Sequence, residues 1–215
     1  MNRRTIPSIA VLICMISLAA CSSGTLITNT TNNSTTGGTT SATAGSSNPS
    51  TLACSADSAS AALTPELTEG PYFKANSPER ASLLEDGMAG TKLVITGYVY
   101  TTDCKPVANA LLDFWQADAK GVYDNSGYTL RGHQFTDVNG RYQLATVVPG
   151  IYPGRTEHIH VKVQAPNGKL VTTQLFFPGV TQNDSDGIYN PGLLMTIQQT
   201  GDGQQAQYNF VVPVQ

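Results

Sequence analysis

From Leu52 to the C-terminus, this chain of 215 residues holds no window of eleven or more residues with a convincing helical period. It has only short apolar runs separated by turn residues, and a chain so punctuated must bury its apolar side chains by stacking short strands. The runs are "KLVITGYVY" (92–100), "ALLDFWQ" (110–116), "RYQLATVV" (141–148), "HIHVKVQ" (158–164), "LVTTQLFF" (170–177) and "QYNFVV" (207–212), with "LLMTIQQT" (193–200) a weaker seventh. Asn-Gly pairs in "DVNG" (137–140) and "APNGK" (165–169) mark hairpins. The prediction is an all-β fold, an antiparallel β-sandwich with an irregular N-terminal segment, in which 77–87 is the best candidate for a short helix. There is no internal repeat. A net charge of -3 with 13% charged residues leaves no basic footprint, so no nucleic-acid partner is expected.

The first fifty residues do not belong to that fold. Residues 1–4 carry two arginines and 6–18 are mostly apolar, too short a run to span a bilayer, which reads as an export signal over 1–20. "LAAC" (18–21) resembles the lipobox of bacterial lipoproteins, which implies that Cys21 becomes a lipid-modified first residue. The alternative is a soluble secreted protein whose cleavage site happens to precede a cysteine. Residues 22–51 are nearly all Ser, Thr, Asn and Gly, so 21–51 is expected to form a flexible tether, and 52–215 the folded domain. About thirty such residues reach roughly 30 Å. The expected location is extracytoplasmic and membrane-anchored, at an outer membrane or cell surface; Ser22 fits outer-membrane sorting if the cell has an outer membrane. Of the four cysteines, Cys14 falls in the signal and Cys21 at the lipid site, leaving Cys54 and Cys104. An oxidising compartment favours a Cys54–Cys104 disulfide over two free thiols.

"YPGRTEHIHVKV" (152–163) poses the functional question. On a strand, His158 and His160 project from one face while Ile159 and Val161 pack on the other, and two adjacent imidazoles suggest a metal. Tyr152, in "VPGIYPGR", and Tyr123, in "WQADAKGVYDNSG", lie on Gly-bordered loops at strand exits, where functional residues collect. A tyrosine with a pKa of about 10 ligates only where a metal makes losing its proton favourable. Iron(III) does so, whereas zinc more often recruits cysteine, carboxylate or a third histidine.

With these residues in view, the sequence resembles the intradiol ring-cleavage dioxygenases, a family that includes catechol 1,2-dioxygenase and protocatechuate 3,4-dioxygenase. The resemblance rests on "LTPELTEGPYF" (63–73), "ALLDFWQADAKGVYD" (110–124), "FTDVNGRYQLATVVPGIYPGRTEHIHVKV" (135–163) and "TTQLFFPG" (172–179), in family order. It implies a non-haem iron(III) held by Tyr123, Tyr152, His158 and His160, with Tyr152 the ligand released on substrate binding. It also implies Arg155 as an active-site cation, Gln174 as a glutamine beside it, and Pro71 and Tyr72 as walls of the substrate pocket. Tyr128 and His133, in "SGYTLRGHQFTD", are nearby rivals. Glu157 receives no role, and Trp115 reads as a core residue rather than a substrate platform.

For Gln174 to share the histidine face, the loop after His160 must hold an odd number of residues, for example 166–168; an Asn167-Gly168 loop alone would put Leu175 opposite His160 instead. Catechol 1,2-dioxygenases carry a longer helical N-terminal region that links their dimers, whereas here only residues 52 to about 91 precede the first strand, so a homodimer is left open.

The implied reaction is cleavage of a catechol-type ring by O2 to a cis,cis-muconate-type product. The partners are then a small aromatic diol, O2 and a membrane reached through the lipid anchor. Two other readings compete: a non-catalytic β-sandwich binding or adhesion lipoprotein, and a metal-storage or metal-delivery protein that uses His158 and His160 alone.

Overall fold

The computed structural model describes Cys54 and residues 60–214. The export signal over 1–20, the lipidated Cys21 and the tether over 21–51 lie outside the described residues. The described residues form nine strands in two sheets packed face to face. In chain order they are β1 (Lys92–Tyr100), β2 (Leu111–Trp115), β3 (Arg131–Phe135), β4 (Arg141–Val147), β5 (His158–Gln164), β6 (Val171–Phe176), β7 (Thr196–Thr200), β8 (Gly203–Gln207) and β9 (Phe210–Val211). One sheet has the order β4-β1-β8-β7, with β9 also paired to β1; the other has the order β3-β2-β5-β6.

Alternation builds both inner faces. Leu93, Ile95 and Val99 of β1 and Leu144 of β4 meet Leu112, Phe114, Ile159, Val161, Val163 and Leu175 of the second sheet in one buried cluster. Ile159 sits between the two histidines in sequence but in the core in space, fully buried. Ile159→Val is expected to cost about 0.5–1.5 kcal/mol in a denaturant titration. It should leave any metal-dependent property of the histidine face unchanged, because its side chain is on the other side of the sheet.

The sandwich is mostly antiparallel, but β8 and β9 run parallel to β1. The single predicted strand 207–212 is broken because Tyr208 and Asn209 bulge against Gly97. A Cβ on Gly97 would stand 1.8 Å from the Tyr208 carbonyl oxygen, so glycine is required there. The bulge is fastened by Tyr208 N–H to Thr96 O at 3.1 Å and Tyr98 N–H to Asn209 Oδ1 at 3.0 Å.

Two expectations are corrected. Asn139-Gly140 does make a tight turn, with Gly140 N–H donating to Asp137 O at 3.0 Å, but the strands it joins, β3 and β4, belong to different sheets. Residues 77–87 are not a helix. Glu79 bridges β3 and Ser82 bridges β4, so this segment ties together the two edge strands that the turn connects. Its N–H groups are taken by strand edges, Arg80 by His133 O and Leu83 by Ala145 O, both at 2.8 Å, and the Leu83 side chain is fully buried. Tertiary pairing overrides the weak local helical preference.

Cys54 and Cys104 are bridged, with Cα atoms 5.3 Å apart. Cys104 takes φ 59° in a turn closed by its N–H to Thr101 O, 3.0 Å. Among the described residues no helix is long and apolar enough to cross a membrane.

Candidate metal centre

The outer face of the four-stranded sheet is where the polar and aromatic side chains gather. Register places Arg131, Trp115, His160 and Gln174 directly opposite one another on β3, β2, β5 and β6, a single row across the sheet. Directly opposed residues in antiparallel pairs share a face, so these four side chains are neighbours. His160 pairs with Gln174, and Leu175 with Ile159 in the core, as an odd loop requires. The loop turns through Ala165 to Gly168, closed by Gly168 N–H to Ala165 O at 2.9 Å, with Asn167 at φ 59° after Pro166. Proline followed by a positive-φ residue is the type II turn preference.

Two loops deliver the tyrosines. Tyr123 follows β2 and Tyr152 follows β4, and the loops interlock at Gly121, where φ is 81° and a Cβ would stand 2.2 Å from Ile151 O. Only glycine permits that contact, which brings the Tyr123 and Tyr152 rings edge to face at 5.9 Å between centroids. The Tyr123 hydroxyl reaches to 3.3 Å from His158 Nε2, and the two histidine Nε2 atoms are 3.1 Å apart. Tyr128 points elsewhere, its hydroxyl donating to Ala75 O at 2.9 Å. His133 is also apart from the pair, with Nδ1 at 2.8 Å from Ser77 O.

The N-terminal segment roofs this face. Tyr72 stacks on Tyr123 at 4.5 Å between centroids, and its hydroxyl is 2.7 Å from that of Tyr152; Pro71 is exposed beside it. Phe73 packs edge-on against Trp115, which itself stacks on His160 at 4.8 Å with the planes 10° apart. Trp115, expected in the core, is therefore buried on the site side of the sheet, in a small aromatic cluster with Ala117 and Tyr123.

Several residues here carried no sequence signal. Arg131, 2% exposed, donates through Nε and Nη2 to Asp124 O and through Nη1 to Tyr72 O, clasping the Tyr123 loop to the roof. Asp186 accepts from Arg155 Nε at 2.9 Å, while Arg155 Nη2 donates to Gln174 Oε1 at 2.7 Å. Gln174 in turn donates to Thr68 O at 3.0 Å. Arg131 lies on a strand without apolar periodicity and Asp186 in a loop, so only the fold reveals them.

Burial governs the protonation states. It pulls the His158 pKa down to about 4, against a hydrogen bond to Thr156 O that raises it, with Arg155 pulling the same way as burial. His160 is pushed well below its ordinary value by burial and then by the proximity of His158, Arg155 and Arg131. Burial raises Tyr123 to about 12, opposed by Arg155 and Arg131. Both imidazoles are thus neutral, the form that binds metal, while the phenol keeps its proton until a cation displaces it.

The donor set fits a hard trivalent ion. His158 Nδ1 lies 2.7 Å from Thr156 O, so its proton is on Nδ1 and Nε2 presents a lone pair inward. Two donors each about 2.1 Å from a common ion stand about 3 Å apart at right angles. The 3.1 Å and 3.3 Å separations meet that condition. The oxygen donor nearest to hand is the Tyr123 phenol, beside His158 Nε2.

The dioxygenase family profile matches residues 68–212. The chain is similar to catechol 1,2-dioxygenase of Acinetobacter baylyi, 27% identical over 179 residues that cover 69% of this chain and 58% of that protein. It is also similar to the solved dioxygenase domain of a dioxygenase carbohydrate-binding protein fusion from Streptomyces sp. SirexAA-E. That domain is 49% identical with a TM-score of 0.70, and the match covers 72% of this chain and all of that domain. The structure of 3-chlorocatechol 1,2-dioxygenase from Rhodococcus opacus matches at 29% identity and a TM-score of 0.66, covering 69% of this chain and 72% of that one. The chain spans little more than half the length of the curated relatives it matches. The profile match covers every strand of the sandwich and both tyrosine loops, and the chain belongs to the intradiol dioxygenase family.

Proposed function

We propose that this protein is a non-haem iron(III) intradiol dioxygenase that opens a catechol-type ring with O2 to a cis,cis-muconate-type product. In this reading Tyr123, Tyr152, His158 and His160 hold the metal, and the domain works outside the cytoplasm on a tether lipidated at Cys21. The observation that carries it is the meeting of His158 Nε2 with both Tyr123 Oη and His160 Nε2 in a site of neutral imidazoles. When bound, the iron supplies the Lewis acidity that lets both catechol oxygens deprotonate and the redox centre through which the ring meets O2. Both atoms of O2 enter the product, so no other oxidant or reductant is consumed.

The chain's own residues have separable tasks. His158 is held by the Thr156 carbonyl in the tautomer that offers Nε2, and His160 is held flat by Trp115. Tyr152 Oη, 2.7 Å from Tyr72 Oη, is placed to take a proton from a substrate hydroxyl and share it with a neighbouring phenol. Arg155 is pinned from two sides and close enough to favour the phenolate of Tyr123. A guanidinium has no accessible neutral form, so it suits a site where negative charge develops on the ring. Tyr72 and Phe73 cover the face and limit water.

The test is the visible spectrum of the iron-loaded full chain, before and after catechol is added anaerobically. A broad phenolate-to-iron(III) band that moves to longer wavelength with catechol is expected. A colourless protein in the presence of iron would sink this reading and favour a binding lipoprotein.

A further inference from the structure

Much of the buried polar network beside the histidine pair converges on one carboxylate. Asp186 follows the short 3-10 turn Thr181–Asp184, and its side chain is 2% exposed. Oδ2 accepts two hydrogen bonds, from Arg155 Nε at 2.9 Å and from the Thr156 backbone N–H at 2.8 Å. Oδ1 accepts the Ile188 N–H at 2.9 Å, which fixes the carboxylate within its own loop. Thr156 is held again through its hydroxyl, which donates to Asn183 Oδ1 at 2.6 Å, and Asn183 donates to Phe177 O at 2.9 Å. The Thr156 carbonyl then receives His158 Nδ1–H. One carboxylate oxygen therefore touches the guanidinium directly and the imidazole through a single residue.

We propose that Asp186 is a positioning residue for ring cleavage, orienting Arg155 and, through Thr156, His158. The inference rests on the function proposed above. A flexible arginine stem is rich in rotamers, and a fixed carboxylate removes much of that freedom before substrate arrives. Gln174 completes the clamp from the other end of the guanidinium. The pair also cancels charge: an unpaired buried cation is costly, whereas a charge-assisted pair with a satisfied carboxylate is tolerated.

The experiment compares iron-loaded parent, Asp186→Asn, Asp186→Glu, Arg155→Ala and the Asp186→Asn/Arg155→Ala double variant, all as full chains. The readouts are kcat, KM for catechol, iron content and the visible spectrum. Asp186→Asn is expected to keep its iron, shift the band and lose about 10–100-fold in kcat, the range for partners that orient a metal ligand. Asp186→Glu, which keeps the charge one methylene further out, should recover part of that loss. The double variant should lose less than the product of the two single losses, since part of the carboxylate's effect runs through the cation and only the rest through Thr156 and His158. An active parent with Asp186→Asn at the parent rate would overturn the inference alone, and so would losses that multiply in the double variant. A parent without ring cleavage would overturn the function and the inference together. If Asp186→Asn does not fold, a parent-like rate in Asp186→Glu would mark Asp186 as structural and overturn the proposal.

Discussion

Tyr123→Phe is expected to fold normally, to lose the visible band and most of its iron, and to show no measurable ring cleavage. The substitution removes one oxygen from a ring that stays packed against Tyr72 and the small aromatic cluster, so the sandwich core is untouched. Its cost in stability should be within about 1 kcal/mol, the net worth of a single hydrogen bond. The loss in iron affinity should be far larger. Removing a partner that merely orients a ligand costs about 10–100-fold, and removing a donor atom itself must exceed that. This experiment also separates the readings. A protein that carries metal on His158 and His160 alone would keep its iron in Tyr123→Phe, whereas a phenolate-ligated site would not. Iron content by metal analysis and thermal unfolding, measured on the same preparation, decide between them. Retained iron with a normal melting point would remove Tyr123 from the metal's donors.

How much of this was legible in the sequence depended on whether a residue's surroundings repeat with the period of its strand. His158, His160 and the core residues between them follow alternation, and β1 and β5 are found with the predicted bounds. β3, "RGHQF", gave no signal because its side chains meet polar partners: Arg131 two backbone oxygens at the site, and His133 the Ser77 carbonyl. β8, "GQQAQ", offers only Ala206 to the core, so no apolar pattern betrays it. The apparent helix at 77–87 was a local periodicity with no tertiary support, since its N–H groups serve the edges of β3 and β4.

The candidate site divides along the same line. The histidines come from strand geometry and the tyrosines from loops whose glycines hint at close contact. Gln174 falls opposite His160 only because the turn between them holds an odd number of residues. Asp186 and Arg131 are brought in by chain crossings between segments far apart in sequence. A one-dimensional pattern carries no record of such crossings.

That difference in origin frames the second large effect. Arg155→Ala is expected to bind iron with an almost unchanged visible band, yet to lose about 10²–10³-fold in kcat, the range for deleting one group that stabilises developing charge. The guanidinium lies beside the donor set and not in it, held by Asp186 Oδ2 at 2.9 Å and Gln174 Oε1 at 2.7 Å. Removing it leaves His158 still bonded to the Thr156 carbonyl, so the imidazole keeps its tautomer. The same substitution strands the Asp186 carboxylate, although the N–H groups of Thr156 and Ile188 continue to satisfy it. A modest loss of stability is therefore expected without collapse of the site. An interaction made only as charge builds on the ring lowers kcat and kcat/KM together and leaves KM alone. Steady-state kinetics on catechol, with iron content measured beside them, test this directly. A rise in KM at constant kcat would show instead that Arg155 binds the substrate's ground state, and turnover at the parent rate would remove it from the reaction altogether.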